Sequence, residues 1–348
     1  MTKTRFKRMF CLLLALGCLC LCACGQKNAG QPSQSGLVKG VWVDNFPLAN
    51  RDLVTRLSTP RTDPSWAQDE ADLARFIDYM NQKAQALGMT NSHFEDAAGM
   101  HNISTARDLL RLTVCAKLNP TLDHIWTQPY HTVTISGGRE LTKSYTSARH
   151  PSLDDYYQVV GHKGGSLNAP KYNLCIFNLT SVLKIPDSED LLFVAVMYAE
   201  EDTDRRNNNR LATKQVADIA MALYHDPNAD VSHMPVCCEN AIAAVLPAGG
   251  ASYEDLRILY ERNADVPGRT MSVSKILTAL CVLDYVPRLD ATLTYRPLDV
   301  TIRYFNARDY AEGDQVSYED AMYALLLGSS NLTAQALARQ TGAIMSTK

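Results

Sequence analysis

The sequence predicts a mixed α/β fold of the α+β type, in which helices flank a sheet. Three observations support this prediction. A regular pattern of apolar residues begins near residue 70, three strand-like runs follow one another between residues 156 and 198, and strongly apolar helical segments fill the last 80 or so residues. The 348 residues contain 46% apolar and 20% charged side chains, which suits a protein with a full hydrophobic core.

The first segment with a regular pattern, residues 70–227, begins with two helices. Asp72 to Leu87 carries a helical apolar stripe and stops at Gly88, and Ser104 is expected to cap a helix from Thr105 to Lys117. Three strands are predicted next, at Tyr156 to His162, Tyr172 to Leu179 and Leu191 to Tyr198. A helix is predicted after them, at Leu211 to Tyr224.

A polar stretch at residues 225–235 reads as a linker to a second segment, residues 228–348. In this segment, strands are predicted at Ala241 to Leu246 and Leu256 to Glu261. Helices are predicted at Ser272 to Val286, Ser317 to Leu327 and Leu332 to Gln340.

Residues 1–23 read as a targeting segment, because basic residues precede an apolar run that is too short to span a membrane comfortably. The run ends in Leu21-Cys22-Ala23-Cys24, which resembles a bacterial lipobox whose last cysteine receives lipid. A cysteine-rich ordinary signal peptide is the alternative. Either interpretation predicts an extracytoplasmic protein. The lipobox predicts a membrane-anchored lipoprotein whose residues 24–69 form a tether that carries one short strand.

Composition argues against several function classes. The net charge of −3 offers no basic face for nucleic acid. Cys237 and Cys238 have no second ligand pair at zinc spacing, so no metal and no cofactor is expected.

The pattern S-x-x-K occurs at Ser272–Lys275, where a strongly apolar helix begins. Residues three apart share a helix face, and a desolvated lysine can lose its proton and act as a base toward a neighbouring hydroxyl. The alternative is a simple helix cap at Ser272. A second copy, Ser181–Lys184, is placed between two strands and has no helix to orient its lysine.

Two further motifs complete a candidate constellation. Ser329-Ser330-Asn331, an S-x-N at a helix-to-loop junction, can project a hydroxyl and an amide into a cleft; a second copy, Ser166–Asn168, shows that this pattern is common. Lys163-Gly164-Gly165, a K-x-G, is placed at the end of a strand, where glycines allow a substrate backbone to approach. Each of the two motifs could instead be an ordinary turn.

The three motifs together match the active-serine site of penicillin-binding proteins and serine β-lactamases. The residues around them resemble the D-alanyl-D-alanine carboxypeptidases, the low-molecular-weight penicillin-binding proteins. The resemblance is carried by residues 87–99, 104–109, 259–265, 274–280 and 313–327.

This resemblance implies an antiparallel sheet flanked by helices and a covalent mechanism on peptidoglycan stem peptides. Ser272 would attack the carbonyl between two D-alanines, Lys275 would be its base, and Ser329 would assist transfer to the leaving amine. The substrate would be held by Asn331, Lys163, Gly164, Gly165 and Ser166, with backbone N–H groups of Ser272 and Ser166 forming the oxyanion hole. β-Lactams would acylate the same serine.

The sequence departs from the family in three respects. Gly164 stands where the family usually has threonine or serine, and Leu332 stands where an acidic residue is common. The third departure is order, since residues 70–225 match the family's second half and residues 236–348 its first half. A circular permutant is one explanation; a fragment of a tandem protein is the other.

Two other functions remain open at this point. A catalytically weak peptidoglycan-binding lipoprotein is favoured by Gly164. A class A β-lactamase would need a glutamate with asparagine four residues on, but Glu70, Glu95 and Glu140 are followed at that spacing by other residues.

Overall fold

The computed structural model describes residues 37–38, 41–42, 64–148, 151–169, 174–200, 208–300 and 309–347. The predicted signal peptide, Cys24 and most of the predicted tether lie outside the described residues. Within the tether, two short strands pair as an antiparallel hairpin, β1 (Leu37–Val38) and β2 (Val41–Trp42).

The α-helices are α1 (Ala67–Ala86), α2 (Ala106–Leu118), α3 (Pro120–Thr127), α4 (Pro151–Asp154), α5 (Asn209–His225), α6 (Lys275–Tyr285), α7 (Pro297–Val300), α8 (Tyr318–Leu326) and α9 (Asn331–Met345). The remaining strands are β3 (Ile103–Ser104), β4 (Tyr130–Gly137), β5 (Leu141–Thr146), β6 (Val159–Ala169), β7 (Leu174–Lys184), β8 (Leu191–Ala199), β9 (Cys238–Leu246), β10 (Arg257–Arg262), β11 (Gly268–Arg269), β12 (Thr292–Thr294) and β13 (Asp314–Ser317).

A five-stranded antiparallel sheet in the order β10-β9-β8-β7-β6 organises the molecule. Strands β6 to β8 come from the first segment of the sequence and β9 and β10 from the second, so the two segments share one ladder from Leu191–Leu246 to Ala199–Cys238. A smaller sheet, β12-β13-β4-β5, also combines strands from both segments. The predicted fold class, an antiparallel sheet flanked by helices, is confirmed.

Helices cover both faces of the large sheet. One face packs against α5 through residues such as Phe177, Val194 and Val216. The larger core on the other face contains α6, whose residues from Lys275 to Val282 are all buried. Burial on all sides explains why α6 is apolar around its whole circumference.

The two ends of the described domain are also in contact, because α9 packs against α1. Arg75 Nη1 donates to the carbonyl oxygen of Gly342 at 2.8 Å. A side chain at Gly342 would overlap the backbone of Asp72, so glycine permits this close crossing.

Several predicted elements need correction. Ser104 lies in β3 and does not cap α2; Thr105 is the cap, and its hydroxyl accepts from Asp108 N at 3.1 Å. The strand predicted to end near His162 continues to Ala169, since both glycines of the K-x-G pair in the ladder with β7. The second S-x-x-K, Ser181–Lys184, lies within β7 and not between strands.

Candidate active site

Ser272 lies in a 3₁₀ turn, Met271–Ser274, that leads directly into α6. Met271, just before it, has a φ of +48°, a conformation that costs a non-glycine residue free energy. The turn also lies so close to Gly99 that a side chain there would overlap the Met271 carbonyl. A strained turn held by close packing therefore positions the Ser272 hydroxyl.

Lys275 is fully buried and its Nζ has three oxygen partners. Nζ donates to Ala98 O at 2.7 Å, to Asn331 Oδ1 at 2.6 Å and to Ser272 Oγ at 2.7 Å. Burial, and then the positive charge of Lys163, holds the pKa of Lys275 well below its usual value, although Asp96 opposes the shift. A neutral amine beside a serine hydroxyl is the arrangement that general-base catalysis requires.

The loop that supplies the Ala98 carbonyl is fixed by one carboxylate. Asp96 accepts backbone N–H groups from four residues, Ala98, Gly99, Met100 and His101. Burial would raise the pKa of Asp96, but the hydrogen bonds and charge of His101 outweigh it and lower the pKa. This loop comes from the first segment of the sequence, whereas Lys275 comes from the second.

Ser329 and Asn331 occupy the junction between α8 and α9. Ser329 has a φ of +53°, and the hydroxyl of Ser330 caps α9 by accepting from Thr333 N at 3.2 Å. The cap fixes Asn331 at the first turn of α9, where its amide oxygen reaches Lys275.

Lys163 lies in the middle of β6, the edge strand of the large sheet, and is 3% exposed. Its Nζ donates to Ser329 Oγ at 2.9 Å and to Gly164 O at 2.8 Å. Burial, and then the charge of Arg210, lowers the pKa of Lys163 to about 7. The site thus contains two hydrogen-bonded groups: Lys163 with Ser329, and Lys275 with Ser272 and Asn331.

The two glycines after Lys163 have different surroundings. A Cβ on Gly165 would lie 2.6 Å from Thr270 O and 2.9 Å from Ser272 N, so only glycine lets β6 approach the serine turn this closely. A Cβ on Gly164 would meet nothing nearer than 3.9 Å. The threonine or serine that the family carries there would therefore fit.

A cleft of about 370 Å³ is lined by Lys163, Gly164, Ser272, Ser329 and Asn331. Ser166 and Asn168, the second S-x-N, line it as well, on the exposed side of β6. Ser181, from the second S-x-x-K, is buried in β7 and is not among the cleft residues.

Sequence reasoning missed Arg210, which also lines the cleft from the first turn of α5. Its Nη2 donates to Ala148 O at 2.9 Å, and its Nη1 is buried with no hydrogen-bond partner in the described part of the chain. Burial lowers its pKa. No local signal marks an arginine at a helix start as part of a distant site, and only the packing of α5 against the sheet brings it to Lys163.

The described residues contain neither a metal-binding cluster nor a membrane-spanning helix. No group of three or more histidine, cysteine or acidic side chains there is placed to hold a metal ion. Among those same residues, no helix is both long enough and apolar enough to cross a bilayer.

Comparison with known proteins agrees with this geometry. Residues 71–182 match the family model described as D-alanyl-D-alanine carboxypeptidase. A D-alanyl-D-alanine endopeptidase of Pseudomonas aeruginosa is 30% identical over 149 residues, covering 42% of this chain and 47% of the relative. Another D-alanyl-D-alanine endopeptidase, from Escherichia coli K12, is 34% identical over 96 residues, covering 27% of this chain and 31% of the relative.

The chain thus spans less than half the length of the curated relatives it matches. No solved structure matched. The segment that matches the family model contains the K-x-G, whereas Ser272, Lys275 and Ser329 lie beyond its end.

Proposed function

Because residues 71–182 match the family model described as D-alanyl-D-alanine carboxypeptidase, we propose that this protein is a serine D,D-peptidase acting on peptidoglycan stem peptides. The first activity proposed is removal of the terminal D-alanine through an acyl-serine intermediate. The observation that carries the proposal is the buried Lys275 amine, which lies 2.7 Å from the hydroxyl of Ser272. Ser272 lines one cleft together with Lys163, Ser329 and Asn331.

The partners of Lys275 suit a base. A neutral amine has two hydrogens and one lone pair, while Ala98 O and Asn331 Oδ1 can only accept hydrogen bonds. When these two oxygens accept both hydrogens of the neutral amine, Nζ no longer donates to Ser272 Oγ, as it does in the protonated form, and presents its lone pair to that hydroxyl instead. Lys275 then removes the proton as Oγ attacks the carbonyl carbon of the penultimate D-alanine.

Collapse of the tetrahedral intermediate breaks the C–N bond and releases the terminal residue as an amine. Ser329 is 2.9 Å from Lys163 Nζ, so the pair can relay a proton to the leaving nitrogen. Backbone N–H groups of Ser272 and Ser166 would stabilise the oxyanion. Water then hydrolyses the ester, and a β-lactam would form the same ester with Ser272.

Recognition of the terminal carboxylate is assigned to Lys163 and Arg210. Both are basic side chains that line the cleft, and the charge of Arg210 adds to burial in lowering the pKa of Lys163. A carboxylate placed between them would offset this repulsion and offer an acceptor for Arg210 Nη1. Gly164 contributes no hydroxyl to carboxylate binding. Arg210 is therefore expected to contribute more to carboxylate binding than it would in a protein with threonine or serine at position 164.

We also propose that the chain is a circular permutant that completes its site by itself. Two contacts support this. Strands β8 and β9, one from each segment, pair in one ladder. Helix α9, at the end of the second segment, contacts α1, at the start of the first, and these two helices would be consecutive in the family order. A complementation experiment distinguishes a site built within one chain from a site shared between two chains. Co-purified Ser272→Ala and Lys163→Met variants should stay inactive together; restored activity would mean that two chains build one site.

Labelling with a fluorescent penicillin tests the proposed function. The wild-type protein should form a stable covalent adduct, and Ser272→Ala should form none. Ser181→Ala, in the second S-x-x-K, is the matched control and should label like wild type. Absence of labelling in the wild type would favour a non-catalytic peptidoglycan-binding role, and rapid loss of the label a β-lactamase.

Export and anchoring complete the proposal. Lipid attachment at Cys24 would hold the enzyme on the outer face of the membrane, where peptidoglycan is found. The tether of residues 24–69 would give it reach.

A further inference from the structure

A separate cavity of about 370 Å³ adjoins the loop that holds Lys275. Ala98 belongs to this loop; it lines the cavity, and its carbonyl oxygen accepts the hydrogen bond from Lys275 Nζ. Helix α1 forms one wall, and Gln335 of α9 reaches the cavity from one turn beyond Asn331. None of the residues that line this cavity lines the catalytic cleft, so the two spaces are distinct.

The α1 wall is an apolar stripe with a carboxylate at each end. Leu73, Ala74 and Ile77 form the stripe, and Glu70 and Asp78 flank it on the same helix face. At a rise of about 1.5 Å per residue, the Cα atoms of Glu70 and Asp78 are about 12 Å apart along the helix. Neither carboxylate has a hydrogen bond or an ion pair with another described residue. The wall therefore offers two unpaired negative charges separated by apolar surface.

The side-chain amide of Gln335 is a second, independent feature of the cavity. Gln335 is 4% exposed, and its amide has no hydrogen-bond partner among the described residues. Buried polar side chains are nearly always hydrogen-bonded, so an unpaired amide that lines a cavity indicates a polar ligand. The amide offers that ligand one acceptor oxygen and two donor hydrogens.

The charge of the cavity is opposite to that of the catalytic cleft. Against one histidine, the ten lining residues include four acidic ones, Glu70, Asp78, Glu95 and Asp96. Asp96 is already bonded to backbone N–H groups of its own loop. The cleft instead contains Lys163 and Arg210. A positively charged ligand is therefore attracted to this cavity and repelled by the cleft.

From these features we infer that the cavity binds a linear aliphatic polyamine. The terminal ammonium groups pair with Glu70 and Asp78, and the methylene chain lies on the apolar stripe between them. An inner ammonium group donates to the amide oxygen of Gln335. This binding uses no step of the proposed acyl transfer, so the inference is independent of the proposed function.

Isothermal titration calorimetry with spermidine at low salt tests the inference. Wild-type protein should bind one spermidine per chain. Ser272→Ala should bind it with the same affinity, because the cavity lies outside the cleft. Butylamine should bind at least about 10-fold more weakly than spermidine, because a single amine cannot pair with both ends of the stripe.

Removal of the two charges tests the ends of the stripe. The double variant Glu70→Gln/Asp78→Asn loses both ion pairs and should bind spermidine about 5- to 10-fold more weakly. Glu140→Gln, which removes an exposed carboxylate between β4 and β5, is the matched control and should bind like wild type.

Two further variants keep the charge of the cavity and change its amide or its shape. Gln335→Leu removes the amide at similar size and should lower the affinity for spermidine about 3- to 10-fold. Ala74→Trp adds bulk on the cavity wall and should abolish detectable binding. Ala71→Trp, also exposed on α1 but not part of the cavity wall, is its matched control and should bind like wild type.

The outcomes separate this inference from the proposed function. Wild-type protein that does not bind spermidine, or an affinity unchanged in both Gln335→Leu and Ala74→Trp, overturns the polyamine site and leaves the peptidase proposal standing. An equal loss of affinity in Glu140→Gln and in the double variant would indicate general attraction to an acidic surface and would also overturn the site. Spermidine binding without penicillin labelling overturns the proposed function alone. If Ala74→Trp does not fold, Gln335→Leu decides.

Discussion

Gly165→Ala should disable acylation, whereas the neighbouring Gly164→Ala should not. The added Cβ at Gly165 would lie 2.6 Å from Thr270 O, 2.8 Å from Val273 N and 2.9 Å from Ser272 N. All three are backbone atoms in or next to the 3₁₀ turn that carries Ser272, so no flexible side chain can move aside. Reaching an ordinary separation of 3.4 Å requires a displacement of at least 3.4 − 2.6 = 0.8 Å between β6 and the turn.

A misplacement on the order of 1 Å at a catalytic centre can cost about 10²-fold in rate. The second-order rate constant for acylation by a fluorescent penicillin should therefore fall about 100-fold in Gly165→Ala. Overpacking should also lower the free energy of unfolding by about 1–3 kcal/mol, measured by urea denaturation. Gly164→Ala, with no atom nearer than 3.9 Å, should match wild type in both assays. Equal acylation by the two variants would refute the close approach of β6 to Ser272.

Three other perturbations test separate parts of the site and the fold. Gly164→Thr supplies the hydroxyl that the family usually has and should lower KM for a D-alanyl-D-alanine peptide several-fold, through one additional hydrogen bond to the carboxylate; an unchanged or higher KM would contradict the assignment of that position. Because the pKa of Lys163 is about 7, its positive charge is lost as pH rises through 7. KM should therefore rise between pH 6 and 8 in the wild type but not in Lys163→Met. Parallel pH profiles of KM would contradict carboxylate binding by Lys163. Arg339→Met leaves the buried Asp299 without its partner and should lower the free energy of unfolding by about 3–5 kcal/mol, and a loss below 1 kcal/mol in urea denaturation would be inconsistent with this ion pair.

Local pattern was sufficient to predict two of the long helices. The helical stripe from Asp72 corresponds to α1, which buries one face, and the continuous apolar run after Ser272 corresponds to α6, which is buried on all sides. Strands β4 and β5 were missed, although Val133 and Ile135 alternate with exposed residues in β4. The alternation is short, because the preceding position on the same face is His131, a half-buried polar residue.

Contacts between residues distant in sequence could not be predicted from local pattern. The carbonyl of Ala98 lies 177 positions from Lys275, and nothing near either residue indicates the contact. Arg210 reaches the cleft only because α5 packs across the sheet. The family resemblance identified the residues of the K-x-G, S-x-x-K and S-x-N motifs. The distances in space between the three motifs depend on the tertiary fold.

The most direct test is a crystal structure of the protein after reaction with a penicillin. We expect an ester between Ser272 Oγ and the opened β-lactam, with the carboxylate of the adduct beside Lys163 and Arg210 of the same chain. An adduct on another residue, or one whose carboxylate is held by a second chain, would contradict it.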